Sequence, residues 1–368
     1  MPKVIAFSRN RRDAGRGDQA GSQAGSAASD VAASESSPKT SGVDQILISV
    51  VVPTCGRPQL LSRCLAGLIL QRFDATRFEI IVVDDAPSRQ TCDVVVDWAT
   101  HAASCGLSIT YIPSQGPHGP AAARNRGWRA ARGDIIAFTD DDTVARTDWL
   151  EKGLRAFQGN VQAVWGRIVM PLHRTPTDYE RDAKSLEQAE FVTANCFCRK
   201  SVLEQLDGFD ERFRFAWRED ADLYFRLLGI EARVARAPAA VVIHPIRPAP
   251  WGVSLAQQRK ILFDALLFKK HPALCREKIR AAPRWDYYVI VLALLIFALG
   301  AGLDAPLAAM VAGGLWLALT TRFCLQRLGP TVKTPLHIAE MIVTSALIPP
   351  LAVFWRMVGA FKFRTRFV

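Results

Sequence analysis

Three acidic sites carry the residue types for chemistry: Asp84-Asp85, Asp140-Asp141-Asp142 and Glu219-Asp220. Adjacent carboxylates repel one another, so a run of three is costly unless a cation sits among them. In extended backbone, positions i and i+2 face the same way, which lets Asp140 and Asp142 converge on one ion. Mg2+ or Mn2+ held by one or two carboxylates completes its shell with water and substrate phosphates, so the chemistry indicated is that of a nucleotide diphosphate leaving group. A solvated acidic turn after a strand is the competing explanation. These residues alone leave both open.

Such side chains need a frame, and the sequence around them supplies one. Residues 46–53, 79–85, 108–112 and 134–139 are short apolar runs rich in Ile and Val, each ended by a polar turn. Between them lie helical patterns, from Pro58 with Leu60, Leu61, Cys64, Leu65 and Leu68 on one stripe, over 91–103, and from Pro120, a residue tolerated in the first helical turn. Strands apolar throughout and alternating with helices predict an α/β fold with a mainly parallel sheet covered on both faces. Ligands of such sheets bind beyond the carboxyl ends of the strands. Two of the acidic sites end such runs. Further helices are expected over 149–157, 200–206 and 220–228, and one or two late strands over 232–244.

In this order and spacing the chain resembles the inverting family 2 glycosyltransferases of the GT-A fold, in their membrane-associated bacterial form. The resemblance covers residues 46–248. It is carried by Val50-Val-Val-Pro-Thr54, Glu79-Ile-Ile-Val-Val-Asp-Asp85, and Ala123-Arg-Asn-Arg-Gly127 leading through Gly133 to Asp142. Gly208-Phe-Asp-Glu-Arg212 and Glu219-Asp-Ala-Asp-Leu223 continue it. It implies a Rossmann-like sheet and a nucleotide-sugar donor. Asp85 would hydrogen-bond the base, Thr54 would help form the nucleotide pocket, Arg124 would sit near the nucleotide with Asn125 shaping its helix, and Asp141 would join the donor-binding set. Asp140 and Asp142 match the family's metal motif for Mg2+ or Mn2+. Asp220 matches the base that takes the acceptor's proton, with Glu219 as its companion. His244 falls where some members carry a late His near the metal; a surface His at a strand end is the alternative. Cys55-Gly56 and Ala86-Pro87 depart from the family's pattern, which touches base recognition and not the metal or the base. Gln257-Gln-Arg-Lys260 is only an echo of the motif of processive synthases, so transfer of one sugar is expected.

Two other classes compete. A nucleotidyltransferase also pairs an α/β nucleotide fold with carboxylates, but it needs a Gly-rich phosphate loop after the first strand, and Thr54-Cys-Gly-Arg57 is a poor one. An inactive membrane scaffold would retain the fold without needing Asp85, Asp142 and Asp220 together.

Charge and hydropathy place the rest. The net charge is +11. Arg259, Lys260, Lys269, Lys270, Arg276, Lys278, Arg280 and Arg284 crowd one stretch, and Arg356, Lys362, Arg364 and Arg366 crowd the tail. Both clusters flank apolar runs, which points to anionic headgroups and away from nucleic acid. Residues 1–44 lack apolar period and are expected to be a disordered tail. Residues 45–250 form the glycosyltransferase-like domain. Within 251–285 a basic amphipathic segment places Leu255, Leu262, Phe263, Leu266 and Leu267 on one face, as expected of a helix in the membrane interface. Residues 287–303 and 307–320 are apolar, with Asp304 and Pro306 between them and Arg284, Arg322 and Arg327 outside. Basic outer flanks favour a transmembrane hairpin over 286–322 with both ends cytoplasmic; a buried soluble hairpin is the alternative. Over 323–368, Glu340 and Pro349-Pro350 interrupt a third run, so a re-entrant or interfacial element broken at the prolines is expected. The eight cysteines match no zinc spacing and read as reduced thiols. Residues 4–7 are too few for a signal segment, so the polar domain is expected in the cytoplasm, bound to the inner membrane. The acceptor implied by that location is a lipid-linked or envelope glycan.

Overall fold

A computed structural model describes residues 5–7, 46–172, 174–280 and 282–366. The tail expected over 1–44 lies outside these, except that Ile5–Phe7 (β1) pairs antiparallel with a sheet strand. The other strands are Ile48–Thr54 (β2), Phe78–Asp84 (β3), Ser108–Pro113 (β4), Ile135–Phe138 (β5), Val144–Ala145 (β6), Val161–Val169 (β7), Cys196–Arg199 (β8) and Arg233–Ile243 (β9). They form one sheet in the order β1-β4-β3-β2-β5-β8-β7-β9-β6. The four runs β4, β3, β2 and β5 are parallel neighbours, as their apolar character requires. β8 then enters antiparallel between β5 and β7, and β7 pairs parallel with β9.

Helices Pro58–Ile69 (α1), Arg89–Ala103 (α2) and Trp149–Leu154 (α4) cover one face, and Pro120–Ala130 (α3), Lys200–Gln205 (α6) and Glu219–Gly229 (α7) the other. Asp178–Lys184 (α5) packs Ala183 against a small cluster of Ile168, Met170, Val192 and Ala194. Alternation along the strands divides the core. Val51, Ile81 and Val83 face α3 and α7, whereas Val50, Val52, Ile80 and Val82 face α1 and α2. Each such side chain is fully buried, worth roughly 1.5–3 kcal/mol apiece. α3 lies so close to β2 that a Cβ on Gly127 would stand 2.3 Å from Val51 Cγ1.

Beyond β9 come Val253–Gln257 (α8), Leu262–Lys270 (α9), Pro272–Leu274 (α10), Trp285–Gly302 (α11), Pro306–Leu328 (α12) and Pro335–Phe363 (α13). α11, α12 and α13 are each long and apolar enough to cross a membrane, by length and composition. α11 and α12 expose Leu292, Leu295, Leu299, Leu307, Met310 and Leu317. The hairpin turns at Asp304, in the left-handed region with φ +49°.

Two expectations need correction here. The stripe of Leu262, Phe263, Leu266 and Leu267 does not face lipid. It is buried in the domain's own core beside Leu223 and Phe225, because the unfilled face of α7 is a nearer apolar partner. And the third apolar run is not broken at its prolines: α13 continues through Pro349 and Pro350 to Phe363. Proline removes a backbone donor and crowds the preceding turn. Here α13 packs lengthwise on 253–270, with Ile348, Pro349, Ala352 and Val353 buried. Its other side exposes Leu336, Val343, Leu347, Phe354 and Phe361. The described cysteines are all unpaired thiols.

Candidate active site

The carboxyl ends of β2, β3 and β5 open to one side, and the acidic residues gather there. β5 ends at Phe138, and the chain turns with Thr143 donating to the Asp140 carbonyl at 2.7 Å. In that turn Asp141 is fully buried, Asp142 is buried and Asp140 is half-buried. Ligand atoms of Asp140, Asp142 and His244 all lie within 4.8 Å of one another. His244 follows β9 directly, and its Nε2 stands 3.5 Å from Asp142 Oδ1. Two carboxylates and an imidazole are a donor set suited to Mn2+ or Mg2+.

Asp141 accepts from the Thr54 hydroxyl at 2.7 Å and pairs with Arg57 at 2.8 Å. The Thr54 hydroxyl and Asp141 Oδ2 thus link the β2 and β5 ends. Burial pushes the Asp141 carboxyl up to about 6, with Arg57 and Thr54 opposing.

Arg124 lies on α3. It is buried, with Nη1 donating to Glu219 Oε1 at 3.0 Å and Nη2 to Asp140 Oδ1 at 2.7 Å. One guanidinium thus bridges the metal-type cluster and the start of α7. Burial works against ionised Asp140, yet Arg124, aided by His244 and Arg57, holds that carboxyl below its ordinary range. Glu219 moves the other way: burial pushes it up, and its neighbour Asp220 adds to the rise. Asp220 is also raised, chiefly by burial, while the Ala221 N–H, Arg124 and Arg218 oppose. A carboxylate raised in this way is a stronger base than an exposed one.

Asp85 closes β3 within reach of the loop before α3. Its Oδ2 accepts from Gly119 N–H at 2.8 Å, and His118 Nδ1 lies 3.3 Å from Oδ1. Gly119 sits at φ +122°, where a Cβ would be 3.0 Å from the Arg214 carbonyl oxygen. Asn125 ties α3 to the 208–211 turn through Phe209 and Glu211. A cavity of about 930 Å3 opens beside His118, Asn125, Arg129, Asp210 and Lys270. Asp140, Asp142 and Asp220 are not among the residues that line it.

Sequence reasoning missed two cations at Asp142. Arg247 Nε stands 3.0 Å from its Oδ2, and Arg57 Nη1 3.6 Å. The sequence held a signal for Arg57, the last residue of Thr54-Cys-Gly-Arg57. Arg247 follows the last strand in a proline-rich stretch with no periodicity to place it.

A mixed sheet with acidic groups gathered at its strand ends is the arrangement with which known proteins were compared. Residues 49–207 match the model of glycosyl transferase family 2. The chain is 32% identical over 223 residues to the pre-mycofactocin glycosyltransferase of Mycobacterium tuberculosis, covering 56% of this chain and 44% of that one. It is 34% identical over 280 residues to validoxylamine A glucosyltransferase of Streptomyces hygroscopicus, covering 63% and 62%. The chain thus spans less than half the length of the first of these relatives. Among solved structures it resembles the mannosyltransferase PcManGT of Pyrobaculum calidifontis, in complex with GDP-Man and Mn2+. The TM-score is 0.53 at 18% identity, over 84% of this chain and 86% of that one, a likeness of fold.

Proposed function

We propose that this protein moves a sugar from a nucleoside diphosphate donor to an acceptor hydroxyl in one displacement that inverts the anomeric centre. The observation that carries the reading is the single buried guanidinium of Arg124, which holds Asp140 and Glu219 and so sets Asp220 beside the metal-type cluster. An acceptor hydroxyl is a poor nucleophile; Asp220 takes its proton as the new bond forms. Asp140, Asp142 and His244 would hold the divalent metal, which when bound neutralises charge on the departing diphosphate. Arg57 and Arg247 stand on the same carboxylate and attract the same anion. Asp85 sits where it can accept from the donor's base. Residues 45–250 form the catalytic unit, on the cytoplasmic side of the inner membrane. The acceptor is a lipid-linked or envelope glycan, the class such attachment serves.

The test uses the full chain in vesicles with UDP- and GDP-linked sugars, reading release of nucleoside diphosphate with and without chelator. Asp220→Asn is expected to lower turnover by ~100–10,000-fold, the range for loss of a general base. Near-normal turnover in that variant overturns the assignment. Turnover indifferent to chelator removes the metal from it.

A further inference from the structure

The segment that joins the catalytic domain to the membrane helices grips the loop in front of Asp220 at three points. Asp264 on α9 accepts from Trp217 Nε1 at 2.8 Å and from Arg218 Nε at 2.7 Å. The Lys260 ammonium lies 5.6 Å from the centre of the Trp217 ring. The Arg259 guanidinium stands 5.2 Å from the Phe215 ring and 5.8 Å from that of Trp355 on α13.

That loop needs holding. Arg218 is the residue before α7 and has φ +76°, a left-handed conformation that non-glycine residues rarely adopt. No side chain caps the helix it opens. Glu219 and Asp220 follow at once, so the direction of the base depends on a strained residue whose guanidinium is tied to Asp264. α9 in turn is pressed from the far side by α13. A Cβ on Gly359 would lie 2.8 Å from the Leu262 carbonyl oxygen, and the rings of Phe263 and Phe363 are 6.2 Å apart.

We propose that Asp264 is a positioning residue which, clasping Trp217 and Arg218, aims the Asp220 carboxylate and makes turnover depend on α13 being seated on α9. The proposal rests on the reading of Asp220 as the base. Asp264 touches no reacting atom; it acts through the loop. An enzyme so built works fully only when its membrane elements are in place.

Full-length wild type, Asp264→Ala, Asp264→Asn and Asp220→Asn are compared in vesicles of phosphatidylethanolamine and phosphatidylglycerol. The expected result for Asp264→Ala is a kcat lower by ~10–100-fold, as for misplacement of a reacting group, with donor KM unchanged. Asp264→Asn keeps an acceptor oxygen without the charge and is expected between the two. Hydrogen exchange supplies a readout that needs no substrate: peptides over 215–221 should exchange faster in Asp264→Ala, while those of β2, β3 and β5 keep wild-type protection. Wild-type kcat, or unchanged exchange over 215–221, overturns the proposal, and so does faster exchange spread evenly through the domain. An active Asp220→Asn overturns the base reading instead, and exchange over 215–221 then still decides whether Asp264 holds the loop.

Discussion

Arg124 has 3% of its surface exposed and two carboxylate partners 95 and 16 residues away in sequence. A lysine there offers one ammonium and cannot span both, because only the planar fork of arginine reaches two acceptors in fixed directions. Arg124→Lys is therefore expected to lower kcat by ~10–100-fold through misplacement of Asp140 and Glu219. Steady-state kinetics with the donor varied would read it, with KM moving little. The second residue-scale prediction concerns Asp222, wholly buried against Arg226, Lys270 and His271. Burial opposes its charge, but those partners hold its carboxyl below the ordinary range. Asp222→Ala strands the cations, and loss of ~3–5 kcal/mol is expected for one partner of a buried pair. A depressed carboxylate gives stability that is present above the unfolded value of ~3.9 and fades as pH drops through the lower folded value. Thermal unfolding should show a gap between variant and wild type at pH 7 that narrows only below about pH 4. At this scale the sequence reveals types and spacing, which is why Asp140 and Asp142 could be expected to converge, whereas His244 came only with the family resemblance. It does not reveal which way a side chain turns. Asp141 shares its neighbours' chemistry yet is fully buried, because the chain turns after β5 and sets its carboxylate against Thr54 and Arg57.

At the scale of elements, β2, β3, β4 and β5 were legible because buried parallel strands are written as unbroken apolar runs. β7 and β8 were not. Val161–Val169 mixes Gln, Gly and Arg with its apolar residues, and Cys196–Arg199 spans four residues. Their place in the sheet comes from pairing with β5 and β9, a contact between distant segments that no local pattern encodes. The amphipathic pattern of α9 was visible but its partner was not: an apolar stripe states that something will cover it, not whether lipid or protein does. Contact with α13 supplies a test at this scale. Gly359 allows α13 to lie against the α9 backbone, so Gly359→Val must push the two apart. The expected outcome is a drop in kcat with intact UDP or GDP binding, since the strand ends are untouched. Unchanged kcat would show that the spacing of α9 and α13 does not reach the site.

Across the whole molecule, the question is where the membrane surface lies. Arg327 near the end of α12 is buried, donating to Asp178 of α5 at 2.8 Å and to Thr344 and Ser345 of α13 at 2.8 and 2.9 Å. The Glu340 carboxylate accepts from Gly252 N–H at 2.7 Å near one end of α13, and Phe363 packs on Phe263 at the other. Both ends of α13 therefore touch residues 252–263. A helix of 29 residues is ~44 Å long at 1.5 Å per residue, enough to cross a bilayer core of ~30 Å. Crossing would carry one end to the far surface, and the segment 252–263, anchored to the catalytic domain through Leu262 and Phe263, cannot follow it. Lying along the interface would keep every one of these contacts: the buried stripe would rest on protein, Leu336, Val343, Leu347, Phe354 and Phe361 would face lipid, and Lys362 and Arg364 would meet headgroups. A reporter fused after Val368 is accordingly expected on the same side as the catalytic domain, with α11 and α12 as the two crossings. A signal from the opposite side would mean that α13 spans, and the contacts joining its ends to 252–263 would have to break in the membrane.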